Sequence, residues 1–343
     1  MTKILLINSS AEKNLLLIRA CKELEQKNFS LAFLSSKKPL LGQFKFLFLL
    51  TGFRLKRKVD IVACLNFNEK IVITPLARLF GLKVIWLEGP EADYRQFNKF
   101  LLALYKLNFR LAKTIAFNNY SKLKLKNIGC DENKISLITP GAKLSPYQEN
   151  IFNKLASAGR VNFHRKYFTV GLVTALNQKQ KIETIFQAIK TSLPVIPNIQ
   201  LIIIGEGEER KNLSWLAKKM EIDNLVWLVG EQEQLKKWLD SFDVFLALGE
   251  KLSLDDYGNI LEAMAAGLPV LAPRNIGLED LIMENNTGAL IESNNSEMLA
   301  RQIIKLHQDK RLRLFLGKNG RERASRSFTL EIMVEKLAVI LKN

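Results

Sequence analysis

Short apolar strands alternate with amphipathic helical stretches along this chain, and that alternation leaves few folds open. In the first half Lys3 to Asn8 (KILLIN), Leu31 to Ser36, Asp60 to Asn66 (DIVACLN), Leu82 to Glu88 (LKVIWLE) and Thr114 to Asn119 (TIAFNN) are apolar on both faces. Between them Glu12 to Lys27 and Glu69 to Phe80 repeat apolar residues at helical spacing. A strand that is apolar on both sides must be covered on both sides, and strands joined by helices run parallel. The expectation is an α/β, Rossmann-like domain over residues 1–145. After its first strand stand Asn8, Ser9, Ser10 and Ala11 in place of a G-x-G-x-x-G turn, which argues against a dinucleotide site in this half.

The second half repeats the pattern. Strands are predicted at Phe168 to Thr174, Ile199 to Gly205, Leu225 to Val229, Val244 to Leu248 and Val270 to Ala272. Helices are predicted at Ile182 to Ser192, Glu209 to Met220, Glu233 to Ser241, Ile260 to Ala266, Ser296 to His307 and Lys310 to Lys318. Between the halves, SPYQENIFNKLASAGRVNFHRK carries weak signals with Pro146 and Gly159, so residues 146–167 read as a linker. Residues 168–327 then form a second Rossmann-like domain, and 328–343 a closing helix with apolar residues at helical spacing. At 343 residues the chain is long enough for two such cores.

Composition excludes several classes. Hydrophobic residues at 48% and charged residues at 25% belong to a folded globular protein rather than a disordered one. No apolar run approaches the ~20 residues of a spanning helix. The start, MTKILLIN, reads as a strand and lacks the cleavage site of a signal peptide. Cys21, Cys64 and Cys130 are odd in number and have no metal-like spacing, so a cytoplasmic, reducing home is expected.

Charge is unevenly placed. Residues 1–150 hold 25 Lys plus Arg against 11 Asp plus Glu, a net of +14, while residues 201–300 hold 8 against 18, a net of −10. Such asymmetry points to a negatively charged partner for the first half. Phe44 to Lys58 (FKFLFLLTGFRLKRK) and Arg95 to Lys113 (RQFNKFLLALYKLNFRLAK) mix apolar residues with cations at helical spacing. Each reads either as an ordinary helix showing cations to water or as a basic amphipathic helix at an anionic membrane surface. The wide apolar arc from Phe44 to Leu50 favours peripheral membrane attachment. Nucleic acid is not expected as partner, since no zinc-finger spacing, helix-turn-helix or RNP-like strand is present.

The stretch richest in chemistry is Ser253 to Ala272, SLDDYGNILEAMAAGLPVLA. It is predicted to be an acidic loop with Asp255, Asp256 and Gly258, a helix from Ile260 to Ala266, a Gly267 stop and a buried strand. A loop entering a helix at Gly258 and Asn259 aims backbone N–H groups and the positive dipole end outward, which suits a diphosphate. Glu262 lies one turn in, on the face of Gly258 and Ala266, where a carboxylate accepts from vicinal hydroxyls such as those of a ribose.

DDYGNI followed by EAMAAGLPVLAP resembles the nucleotide-sugar site of GT-B glycosyltransferases, in particular the large retaining family 4. LIIIGEGEERKNL (Leu201 to Leu213), Asp243-Val244-Phe245 and ISLITPGAK (Ile135 to Lys143) are similar to further family segments. The resemblance covers residues 168–343 well and residues 1–145 in general layout. It implies two Rossmann-like domains facing across a cleft, with the closing helix crossing back to the first. Glu262 would hold the donor ribose and Gly258 and Asn259 the diphosphate. Gly230 and Glu231, after the third strand, join the donor-binding set. Gly205 and Gly207 are given a structural role, because they let a strand turn into a helix.

Three departures stand out. Eight before Glu262, where the family has an acid, is Leu254; with a loop one residue shorter, Asp255 takes the sugar-contact role. In TALNQKQK, Ala175 and Gln180 stand where the family has phosphate-binding Arg and Lys, and Lys179 or Lys181 is expected to serve instead. The family's histidine after the fourth strand is missing, and Glu88 or Glu91 is the candidate acid or base. His164 and His307 are read as structural or solvated. No cofactor and no metal are expected, since no Asp-x-Asp lies in a metal loop.

The function this implies is transfer of a sugar, with retention, from a nucleoside diphosphate to a hydroxyl of a carbohydrate or lipid-linked acceptor, as in surface polysaccharide biosynthesis. The alternatives are a catalytically weak homologue that binds nucleotide or membrane, suggested by Ala175 and Gln180, and a nucleotide-sugar 2-epimerase.

Overall fold

The computed structural model describes residues 2–7, 15–34, 59–90, 92–144, 167–177, 179–232, 234–248, 252–274 and 277–342. Of the sequence expectations, Phe44 to Lys58, Glu91, the residues after the first strand and nearly all of the 146–167 linker with His164 lie outside them. The chain divides into two compact units: Met1–Gly141 with Ser253–Asp255 and Leu330–Asn343, and Ala142–Leu252 with Asp256–Thr329.

The first unit is a six-stranded parallel sheet of β1 (Thr2–Ile7), β2 (Phe29–Leu34), β3 (Ile61–Cys64), β4 (Lys83–Glu88), β5 (Lys113–Ala116) and β6 (Ile135–Leu137), ordered β2-β1-β3-β4-β5-β6. Helices α1 (Leu15–Glu25), α2 (Phe67–Leu79), α3 (Lys99–Phe109) and α4 (Asn119–Asn127) connect them. Strand residues alternate between two cores, as a pleated sheet covered on both faces requires. Ile4 and Leu6 pack with Leu16, Leu17 and Ala20 of α1, whereas Leu5 and Ile7 join Ile73 of α2 and Tyr105 and Phe109 of α3.

The second unit is again six parallel strands: β7 (Phe168–Val173), β8 (Ile199–Ile204), β9 (Val226–Gly230), β10 (Val244–Leu246), β11 (Val270–Pro273) and β12 (Gly288–Ile291), ordered β12-β11-β10-β7-β8-β9. The order reverses between β7 and β10, and ligands of such open sheets bind outside the carboxyl ends of the strands near that point. The helices are α5 (Lys179–Ser192), α6 (Arg210–Lys219), α7 (Leu235–Leu239), α8 (Leu254–Ala265), α9 (Ser296–Gln308) and α10 (Lys310–Ser327). Leu246, Leu271 and Ile291 face the core shared with α5 and α9; Phe245, Val270 and Leu290 face the core shared with α8.

The last helix, α11 (Leu330–Lys342), buries Met333, Val334, Leu337 and Leu341 in the α1 core and groups with the first unit.

Among the elements that differ from expectation are β12 and α10. The four residues of β12 were not predicted, because GALI is too short to show a period. Helix α10 runs on to Ser327 through Gly317 and Gly320, residues that weaken an isolated helix. A Cβ at Gly317 would lie 1.9 Å from the Gly267 carbonyl oxygen, so glycine is what lets α10 approach the end of α8. That end is a Schellman turn: Gly267 (φ +80°) donates to Met264 O, Leu268 donates to Ala263 O, and the Arg321 guanidinium takes the Ala265 and Ala266 carbonyls at 3.1 and 2.9 Å.

Candidate donor site on the second unit

Helix α8 begins at Leu254, six residues earlier than the sequence suggested. Asp255, Asp256, Gly258 and Asn259 are therefore helical, and the N–H groups of Gly258 and Asn259 belong to the helix ladder instead of pointing outward. The positive end of the dipole moves to the turn at Ser253–Asp256 with it. What survives is the face: Leu254, Tyr257, Ile260, Leu261 and Met264 are buried, while Asp255, Gly258, Asn259, Glu262 and Ala266 form a half-buried stripe at helical spacing.

The acid at the head of that stripe has a different task. Asp255 Oδ1 accepts the backbone N–H of Leu16 at 2.9 Å, and Ser253–Asp255 groups with the first unit. Leu16 is the second residue of α1, so the carboxylate caps an otherwise orphan N–H at the positive end of that helix. This contact gives Asp255 a capping role toward α1.

Past the carboxyl ends of β10, β11 and β12 lies a pocket of about 70 Å³, lined in part by Lys181, Thr184, Ala247, Pro273, Glu292 and Asn295. It opens on the α5 and α9 side of the sheet, whereas Glu262 stands on α8, which packs on the other side. Lys181 is in the first turn of α5 and lines the pocket. Lys179 is the first residue of α5, and Gln180, next to it, is exposed. Asn295 caps α9 by accepting the Met298 N–H at 2.8 Å. At the rim the sequence reading missed Arg274, which follows β11 and pairs with Glu284 at 2.9 Å and with the pocket residue Glu292 at 3.1 Å. A lone cation directly after the β11 strand was the available signal.

The loop containing Ala175 is pinned to the glycine turn after β8. Thr174 donates to Ile204 O, Leu176 donates to Glu206 O, and Glu209 donates to Leu176 O at 2.9 Å. A Cβ at Gly205 (φ +143°) would stand 2.0 Å from the Thr174 carbonyl oxygen, which accounts for glycine at this crossing. Gly230 (φ +86°) closes β9 and accepts from Gly205 N–H at 3.0 Å; Glu231 beyond it is exposed. Arg210 holds this edge, with Glu206 at 2.8 Å and Leu228 O at 2.7 Å. His307, late in α9, sits edge-on to Phe168 with ring centroids 5.0 Å apart.

Glu88 is buried and engaged by neighbouring side chains. It ends β4 at 2% exposure, paired with Lys70 Nζ at 2.5 Å, and it also accepts hydrogen bonds from Tyr105 at 3.0 Å and from the Tyr94 hydroxyl. Burial and the neighbouring carboxylate push both phenols well above their usual range, so they stay protonated donors. The sequence showed an acid at a strand end; only the fold supplied Lys70 from α2 and the two tyrosines.

Comparisons agree with this architecture. Residues 156–323 match the family described as glycosyl transferases group 1. The chain is 27% identical over 164 residues to N-acetyl-alpha-D-glucosaminyl L-malate synthase of Bacillus anthracis, covering 47% of this chain and 42% of that protein. It is 29% identical over 157 residues to the lipopolysaccharide core biosynthesis glycosyltransferase LpsE of Rhizobium meliloti, covering 46% and 45%. The chain thus spans under half the length of these curated relatives. Among solved structures, Anabaena Alr3699/HepE in complex with UDP and glucose superposes with a TM-score of 0.80 at 18% identity, covering 100% of both chains, and is similar in fold. The chain thus has two Rossmann-like units of the GT-B kind, and over residues 156–323, most of the second of them, it is similar to the glycosyl transferases group 1.

Proposed function

We propose that the protein is a glycosyltransferase that takes a sugar from a nucleoside diphosphate, with retention of anomeric configuration, and places it on a hydroxyl of a carbohydrate or lipid-linked acceptor. The observation that carries this reading is the pocket at the carboxyl edge of β10 to β12 with Lys181 in its wall; the half-buried Glu262 stripe of α8 lies across the sheet from it. Open α/β sheets bind nucleotides at this edge, and the relatives named above include glycosyltransferases and a protein bound to UDP and glucose. Glu262 would accept the ribose hydroxyls, and Lys181, with Lys179 beside it, would neutralise the diphosphate. The Gly258 and Asn259 positions would let the donor lie close to the helix, and Gly230 and Glu231 would border it at the β9 edge. The diphosphate would be held by lysine and helix N–H groups, so no metal is required. The site is assigned to the cytoplasmic side, where nucleotide sugars are made.

Ala175 supports a second reading, a weak or inactive homologue that binds nucleotide without turnover. It is exposed in a pinned loop, and an alanine offers a leaving diphosphate no charge.

One experiment separates the two. Melting temperature is measured with UDP, GDP, ADP and their glucose or mannose conjugates, for the native protein, Glu262→Ala and Lys181→Ala. At 100-fold excess over Kd a bound nucleotide adds about 2.7 kcal/mol. A shift with one base, lost in Glu262→Ala, and slow release of free diphosphate with acceptor present is the expected result. A shift without turnover selects the second reading, and no shift with any nucleotide refutes both.

A further inference from the structure

Helix α3, within the Arg95 to Lys113 stretch, carries two apolar faces rather than one. Tyr105, Asn108 and Phe109 turn inward, and Asn108 Nδ2 donates to Ile71 O of α2 at 3.0 Å. On the other side Phe100, Leu107 and Leu111 are 70%, 60% and 40% exposed, with half-buried Leu104 among them. Positions 100, 104 and 107 follow the i, i+4, i+7 spacing of one stripe, and Leu111 lies in the turn just past the helix end at Phe109. Lys99, Lys106 and Arg110 project from one flank of it, all exposed, and α3 contains no acidic residue.

We infer that this outward stripe of α3 docks the first unit on an anionic lipid surface. An exposed apolar stripe of this size on a stable helix calls for a partner. A row of cations beside apolar side chains matches a lipid interface, where the apolar residues enter the acyl boundary and the cations meet phosphates. A second copy of the chain fits less well, since stripe-to-stripe packing brings two like-charged rows together. The net charge of +14 over residues 1–150 adds long-range attraction of the same sign. The inference extends the lipid-linked acceptor reading but stands on α3 alone, so it is tested without nucleotide or acceptor.

The test is co-sedimentation with vesicles of phosphatidylcholine, with and without phosphatidylglycerol. The variants are Phe100→Ser/Leu107→Ser, Lys106→Gln/Arg110→Gln and, as a control on the second unit, Trp215→Ser, which replaces a side chain 61% exposed. Melting temperatures check that each variant is folded. The expected result is binding to the anionic vesicles only, weakened by salt. Each cation lost should lower partitioning about fivefold, so the glutamine pair should weaken it about 25-fold. The serine pair should also lose binding, and Trp215→Ser should keep it. The inference is overturned if the native protein stays in the supernatant, or if the α3 variants sediment like the native protein. A dimer that the serine pair converts to a monomer, with sedimentation unchanged, overturns it in favour of self-association.

Discussion

Replacing Glu88 by glutamine decides whether this carboxylate anchors the first unit or takes part in chemistry. Lys70 and Glu88 are each 2% exposed and lie 2.5 Å apart, with the Tyr94 and Tyr105 hydroxyls completing the cluster. Glutamine keeps an acceptor for the tyrosines but leaves the Lys70 ammonium without its anion in a site closed to water. Breaking a buried pair by removing one partner costs about 3–5 kcal/mol. For a unit of this size 1 kcal/mol is worth ~2–4 °C, so the first unit should melt about 6–20 °C lower. Trp86 is the natural reporter. It is fully buried, donates to Thr74 Oγ1 at 2.8 Å, and its ring centroid is 6.0 Å from Lys70 Nζ. Its fluorescence is followed in a background where Trp215, Trp227 and Trp238 are phenylalanine. Lys70→Met combined with Glu88→Gln removes the cation as well and should recover most of the loss, because a buried pair replaced by neutral groups is often neutral. A Glu88→Gln protein that melts like the native one yet loses transfer activity would refute the anchoring argument and return Glu88 to the list of acids and bases. Strict additivity of the single changes would show that the two charges are not coupled.

Two further predictions rest on packing and burial. Gly317→Ala puts a Cβ 1.9 Å from the Gly267 carbonyl and should destabilise by roughly 1–3 kcal/mol, whereas at Gly320 the nearest atom is 3.7 Å away. Gly320→Ala should therefore raise stability by about 0.5–1 kcal/mol, and urea midpoints of opposite sign check the pair. Burial pushes the Cys21 and Cys130 thiols up to about 12, and Cys64 is raised further, so all three should resist a thiol reagent until the protein unfolds. The sign for stability follows: an unfolded thiol ionises near 9 and an unfolded phenol near 10, while the folded groups keep their protons. Stability is fully present below pH ~9 and should fall as pH rises from there towards 12, measured as a declining melting temperature. Rapid thiol reaction at pH 8 in the native state would contradict the burial argument.

How far the site could be read in advance depended on range. Glu262 sharing a face with Gly258 and Ala266 is a property of one helix, and it is what the structure shows. The sequence pattern places the start of that helix six residues late, because Asp255, Asp256 and Gly258 favour a loop locally while buried Leu254 and Tyr257 draw the same segment into the helix. The hydrogen bond of Asp255 to Leu16 is invisible in the sequence, because the two residues lie 239 positions apart. Lys181 was named among the phosphate cations, and its place in the pocket wall comes from the first turn of α5.

The sequence by itself determined the α/β class, two parallel sheets, nearly every strand and the likeness of the second unit to a known family. These follow from local periodicity and from a contiguous motif, which need no knowledge of distant contacts. Tertiary structure alone decided that Glu88 is locked to Lys70, that α10 continues through two glycines, and that α3 keeps one apolar stripe outside. Each of these depends on which residues from remote parts of the chain arrive at the same place. Burial and charge pairing are set by those arrivals, not by the order of residues along the chain.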